Sequence, residues 1–214
     1  MDKNFLDKLF SKDELWYNEN IHANLVSKIL SALIDKKAEN KLEQDEYFVQ
    51  ARINDFIIGH LRNTQFSTKR ENKSTDIAVI LSDTEEPIIL YEVKTYIKKH
   101  EIKINPKDIY KDILKLAIRK KEIPYINCYM LIAGKTKVSK DAFDNNGLNL
   151  PNKFDNTNNR TAIELTLDFF ESQKIESKLL EKAKKLKIKE ISISPSRWKN
   201  YDGMCVITWK INKI

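Results

Sequence analysis

Two apolar, β-branched runs stand almost back to back in the chain, Thr75–Ser82 (TDIAVILS) and Pro87–Tyr96 (PIILYEVKTY). The segment joining them, SDTEEP, leaves room only for a turn, so the runs are expected to pair as an antiparallel hairpin. The residues that follow restrict the fold further. Pro106 suits the first turn of a helix, and apolar residues at 109, 110, 113, 114, 116, 117 and 118 support that helix as far as about Lys121. Pro124 breaks it, and Tyr125–Ala133 (YINCYMLIA) reads as a buried strand closed by Gly134.

Upstream, Ile21–Glu39 has its apolar residues at helical spacing. Leu42–Arg62 reads as a second amphipathic helix with Phe48, Val49, Ile53, Phe56, Ile57 and Leu61 on one face. A short strand is expected around Gln65–Thr68. Downstream, Lys135–Asn159 is rich in Asn and Asp and reads as loop. Thr161–Phe170 supports two readings: its alternation of Ile163, Leu165, Leu167 and Phe169 suits a strand, whereas Thr161 with Glu164 forms a capping box. Gln173–Leu186 is expected to be helical, and Ile188–Ile193 and Met204–Ile211 to be the last two strands, with SPSRWKNYDG a turn-rich loop between them. The expected class is α/β, a mixed central sheet flanked by helices, in one domain spanning residues 1–214.

Charge narrows the partners. The formal net charge is +7, and it is concentrated: Lys94–Lys121 holds ten Lys or Arg against three acids, and Lys174–Lys189 holds seven against two. Two basic segments on a mildly acidic body suit a polyanion. Lys98, Lys99, Lys103, Lys107 and Lys111, continued by Lys115 and Arg119, are spaced to form a phosphate-contacting track, unless acids such as Asp108 and Asp112 pair with them. Arg197, Lys199 and Asn200, interleaved with Trp198 and Tyr201, are residue types that read base edges. No apolar stretch reaches the length of a membrane span, and the N-terminus has no apolar signal core, so a cytoplasmic protein without membrane partners is expected. With only Cys128 and Cys205, a disulfide framework and a four-cysteine metal site are excluded.

Within the hairpin, Asp76 stands at the start of one strand, and Glu92 and Lys94 stand near the end of the next. Residues two apart in a strand share a face, so Glu92 and Lys94 project together. A turn at SDTEEP brings into opposition positions whose numbers sum to about 168–170, which sets Asp76 against residues 92–94. Two clustered carboxylates repel each other, and a divalent cation removes that repulsion. Oxygen ligands with few histidines select Mg²⁺ or Mn²⁺, and the backbone carbonyl of Val93 offers a further oxygen. Such a centre can polarise a phosphate and lower the pKa of a bound water, with Lys94 orienting that water or stabilising developing charge; the other reading of the same residues is a cross-strand salt bridge between Asp76 or Glu92 and Lys94.

The stretch Thr75-Asp76-Ile-Ala-Val-Ile-Leu followed by Ile-Ile-Leu-Tyr-Glu92-Val-Lys94-Thr resembles the core of the PD-(D/E)XK nuclease superfamily, most nearly its type II restriction endonucleases. Thr75 stands where that motif has proline. The resemblance covers about residues 42–133, in the order helix, three strands, helix, strand, and leaves residues 134–214 as a C-terminal elaboration. It implies a restriction-endonuclease-like core, metal binding by Asp76 and Glu92, and assistance to the attacking water by Lys94. An additional acid on the first core helix is common in the superfamily, and Glu46 is the residue here that matches, with Glu43 as the alternative. The function so implied is Mg²⁺-dependent hydrolysis of double-stranded DNA, sequence-specific and carried out by a homodimer. A repair or recombination nuclease and a DNA-binding module without chemistry are the alternatives.

Overall fold

A computed structural model describes residues 19–39, 46–60, 66–72, 75–96, 106–135 and 162–214. Helices α1 (Glu19–Ala38) and α2 (Glu46–His60) precede strands β1 (Phe66–Asn72), β2 (Thr75–Leu81) and β3 (Pro87–Tyr96). Helix α3 (Pro106–Glu122) leads into β4 (Asn127–Lys135). After β5 (Ile163–Thr166) come helices α4 (Leu167–Ser172) and α5 (Ser177–Lys185), and then β6 (Glu190–Tyr201) and β7 (Met204–Lys213). The strands form one seven-stranded sheet in the order β1-β2-β3-β4-β7-β6-β5. Only β3 and β4 pair in parallel, with α3 as the crossover between them, and every other neighbouring pair is antiparallel. The expected mixed sheet flanked by helices is thus the observed architecture.

Strand parity sorts the apolar side chains onto two faces. Ala78, Ile80, Leu90, Met130, Ile132, Ile207 and Trp209 share a core with Ile109, Ile113, Leu116 and Ala117 of α3 and with Phe170 and Ala183 of α4 and α5. Ile77, Val79, Ile89, Tyr91, Val93, Leu131 and Val206 pack on the other side against Leu25, Ile29 and Leu33 of α1 and Val49, Ile53 and Ile57 of α2. The result is a three-layer helix–sheet–helix sandwich. Covering both faces explains why β2, β3 and β4 read as continuous apolar runs rather than alternating ones. Cys128 is fully buried in this packing, and neither cysteine is in a disulfide. Among the described residues no helix is long and apolar enough to cross a membrane.

Two expectations need correction, and one open reading is settled. SPSRWKNYDG is not a loop: β6 runs to Tyr201, and the turn to β7 is only Asp202-Gly203. Asp202 and Gly203 have φ of 49° and 71°, the left-handed pair that tight hairpins demand and that Asp-Gly supplies. Pro195, which cannot donate to a ladder, sits where the β6–β7 register shifts. The Thr161–Phe170 ambiguity resolves into a strand followed by a helix. The cap is Thr166, whose Oγ accepts the Phe169 N–H at 3.2 Å. Finally, Gln173–Leu186 is not one helix, since Gln173 ends α4 and α5 begins only at Ser177. The loop expected at 135–159 and the Thr161 cap lie outside the described residues, apart from Lys135, which ends β4.

Thr166 also gives a test of local stability. Replacing it with Ala removes the side-chain acceptor that caps a six-residue helix. Thr166→Ala is expected to cost about 1 kcal/mol in urea denaturation, and Thr166→Ser to retain most of the difference.

Candidate active site

The hairpin register places the charged residues. Ile77 faces Tyr91, Ala78 faces Leu90 and Val79 faces Ile89, so opposed positions sum to 168; the paired register ends at Ile77 and Tyr91, and Asp76 and Glu92 are the residues next beyond it. At that point a side chain replaces the next backbone rung: the Val93 N–H donates to Asp76 Oδ2 at 2.6 Å. Asp76 is thereby fixed to β3. Ala78 and Leu90 belong to the α3-side core, and by parity Asp76, Glu92 and Lys94 project to that same side. The cluster sits on the second and third strands of seven, towards the C-terminal end of β3.

Three further charged groups converge there. Asp112 and Lys115, one turn apart on α3, point inward to the sheet, and Glu46 opens α2. Lys94 Nζ lies 2.8 Å from Asp112 Oδ2 and 3.7 Å from Glu46 Oε2. Lys115 Nζ lies 2.7 Å from Asp112 Oδ1 and 3.6 Å from Glu92 Oε1. Lys94 therefore ties together helices from opposite layers, and the acid chosen on α2, Glu46, does reach the site. The polar stripe it heads runs on beside β1: Gln50 accepts from Arg70 Nη2 at 3.3 Å, and Asn54 accepts from Thr68 Oγ at 2.6 Å.

The electrostatics are unbalanced. Four carboxylates, Glu46, Asp76, Glu92 and Asp112, face two ammonium groups, an excess of two negative charges if all are ionised. Glu92 is 2% exposed and Asp112 3% exposed, so water screens little of this. Burial, reinforced by Asp112 and Asp76, pushes the Glu92 carboxyl up to about 9. Burial also raises Glu46, against the pull of Lys94. For Lys94, burial alone would lower the ammonium, but Asp112, Glu46 and Asp76 outweigh it and the group is raised. Lys115 follows the same logic, with burial opposed by Asp112 and Glu92, and is also raised.

A divalent cation fits this arrangement. Among the described residues Glu92 Oε1 has no hydrogen-bond partner, an expensive state for a buried carboxylate oxygen. The side-chain donors of the cluster are hard oxygens, the kind that bind Mg²⁺ or Mn²⁺. Among the described residues no three His, Cys, Asp or Glu side chains form a ready metal cage. Magnesium rarely needs one, since it commonly keeps several waters and takes one or two carboxylates. Asp76 and Glu92 are the two carboxylates here that could serve, with Val93 between Glu92 and Lys94 on β3.

The residues expected to contact nucleic acid are scattered. Lys98, Lys99 and Lys103 lie outside the described residues. Lys107 is in the first turn of α3, while Lys111 is ion-paired with Glu176 just ahead of α5. Lys115 turns inward, and Arg119 pairs with Glu122 at 3.3 Å. The spacing therefore does not produce one free basic stripe along α3. Its helix phase divides the lysines between the site and the neighbouring helix. Arg197, Lys199 and Asn200 are on β6, three strand spacings from β3, or about 14 Å across the sheet. Lys199 donates to Ser27 Oγ of α1 at 2.6 Å.

Sequence reasoning missed Asp112 and Lys115 as members of the site. A signal was present: Asp112 falls between Ile109 and Leu116 on the buried stripe of α3, where a solvated acid has no reason to be. No family model, curated protein or solved structure matches the chain.

Proposed function

We propose that this chain is a Mg²⁺-dependent endonuclease, able to use Mn²⁺, that hydrolyses phosphodiester bonds in double-stranded DNA. In this reading residues 42–133 form a restriction-endonuclease-like core, and two copies act on a sequence-specific, two-fold symmetric site. One observation carries it: Asp76, Glu92 and Lys94 project to one face of paired strands, with a buried oxygen of Glu92 left without a hydrogen-bond partner. Structural ion pairs do not need that unsatisfied oxygen, whereas a cation site does.

Each residue then has a chemical task. Asp76 and Glu92, with the Val93 carbonyl, would hold the cation. When bound, Mg²⁺ supplies charge stabilisation at a phosphate oxygen and lowers the pKa of a water. Lys94 remains an ammonium across the working pH, because its carboxylate neighbours outweigh the effect of its burial. It therefore donates hydrogen bonds, to water or to a non-bridging phosphate oxygen, and does not take a proton. Asp112 and Glu46 hold that ammonium from two directions. The net charge of +7 favours encounter with DNA and makes binding weaken with salt.

The test is incubation of the pure protein with plasmid and phage DNA in Mg²⁺, with EDTA controls. Discrete fragments in Mg²⁺ and none in EDTA are expected. Cutting confined to branched or damaged DNA would move the assignment to a repair nuclease. A gel shift without cutting would leave a binding module.

A further inference from the structure

Lys115 stands where it has no place in an ordinary helix surface. Its neighbours on α3, Leu114 and Leu116, are fully buried, so the backbone beneath it is held firmly. Its ammonium is turned towards the sheet, 3.6 Å from Glu92 Oε1 and 2.7 Å from Asp112 Oδ1. The first distance is an ion pair but too long for a hydrogen bond, and among the described residues the same Glu92 oxygen has no hydrogen-bond donor. The second is a firm contact within the same helix.

The geometry points to Lys115 as a resident cation of this site, one that stands against Glu92 in the metal-free protein and withdraws onto Asp112 when a divalent cation arrives. This rests on the proposed metal site and deepens it, because it says what the cation must displace. The exchange is small. Lys115 would give up only the looser of its two contacts and keep the tighter, and its flexible stem needs no movement of α3. In this arrangement Lys115 opposes metal binding by direct repulsion while keeping the empty site intact, so it sets how much Mg²⁺ is needed to load the site.

Calorimetric titration of Mg²⁺ and Mn²⁺ into DNA-free protein at pH 8 tests this without reference to activity. Lys115→Gln removes the competing charge and is expected to bind Mg²⁺ at least about tenfold more tightly than the wild type. Lys115→Arg keeps the charge and should stay within about twofold of it. Lys115→Met, which preserves the stem, serves if the glutamine variant does not fold. A lower thermal midpoint for Lys115→Gln in EDTA, reversed by Mg²⁺, would support the same role. Equal or weaker Mg²⁺ binding by the glutamine and methionine variants overturns the inference and leaves the nuclease reading intact. A wild-type protein that binds no Mg²⁺ and cuts no DNA would instead remove the metal site itself.

Discussion

Lys94→Ala is expected to cleave DNA about 10²- to 10³-fold more slowly than the wild type while binding the same DNA with little change. The size of the effect follows from where the ammonium sits. It is held by Asp112 at 2.8 Å and by Glu46 at 3.7 Å, so its position is set before substrate arrives. A fixed donor in a dry site contributes far more to stabilising new charge than a mobile surface lysine does. Binding should survive because DNA affinity comes from many phosphate contacts, of which this is at most one. Cleavage is followed as the initial rate on supercoiled plasmid in Mg²⁺, and binding by gel shift in Ca²⁺. Lys94→Arg should recover little of the rate, since a planar guanidinium cannot take the place of a compact ammonium between two acids. Wild-type rates in Lys94→Ala would rule out this role and leave the lysine as a structural counter-ion.

The hairpin was legible because its parts agree. The turn at SDTEEP limits the register to a narrow range, and parity places Glu92 and Lys94 on one face; Asp76 joins them because the register settles on an even sum, 168, which the turn alone did not fix. Glu46 was legible in a weaker sense: helix phase marked the stripe it heads, but not that the stripe's first residue meets Lys94. Asp112 and Lys115 were hidden because an acid and a lysine three apart are also the ordinary signature of a solvated helix face. Their inward direction depends on which face of α3 the sheet covers, and that is decided by tertiary packing. The position of β7 between β4 and β6 has the same origin, since it comes from pairing between distant segments. The strand through Pro195 and Arg197 was misread for a local reason. Serine and proline suggested a loop, and the Asp-Gly pair that marks the true turn stood at the end of that stretch.

In EDTA the wild-type protein should become steadily less stable as the pH rises from about 5 to 9, and Glu92→Gln should remove most of that slope. The sign follows from the buried carboxyl. Its folded pKa is raised to about 9 from an ordinary value of 4.5. Below the lower value both states hold the proton, and the contribution to stability is fully present. Between the two, the unfolded chain has released a proton that the folded chain retains, so raising the pH favours unfolding. The loss is up to about 1.4 kcal/mol per pH unit and ends once the folded carboxyl also ionises, near pH 9. Glu46, raised by burial, adds a smaller slope of the same sign. Lys94 and Lys115, raised rather than lowered, lose their contribution only as the pH climbs beyond the ordinary lysine range. Glutamine fills the same space with no charge to bury, so Glu92→Gln should be the more stable protein at pH 8 in EDTA. Magnesium should reverse the order. It stabilises the wild type in proportion to its occupancy, and more so as rising pH clears the proton from Glu92, but it should do little for a site missing one of its two carboxylates. Urea denaturation from pH 5 to 9, with EDTA and then with Mg²⁺, measures both effects. Parallel curves for the two proteins in EDTA would show that Glu92 is ionised in the folded state at neutral pH.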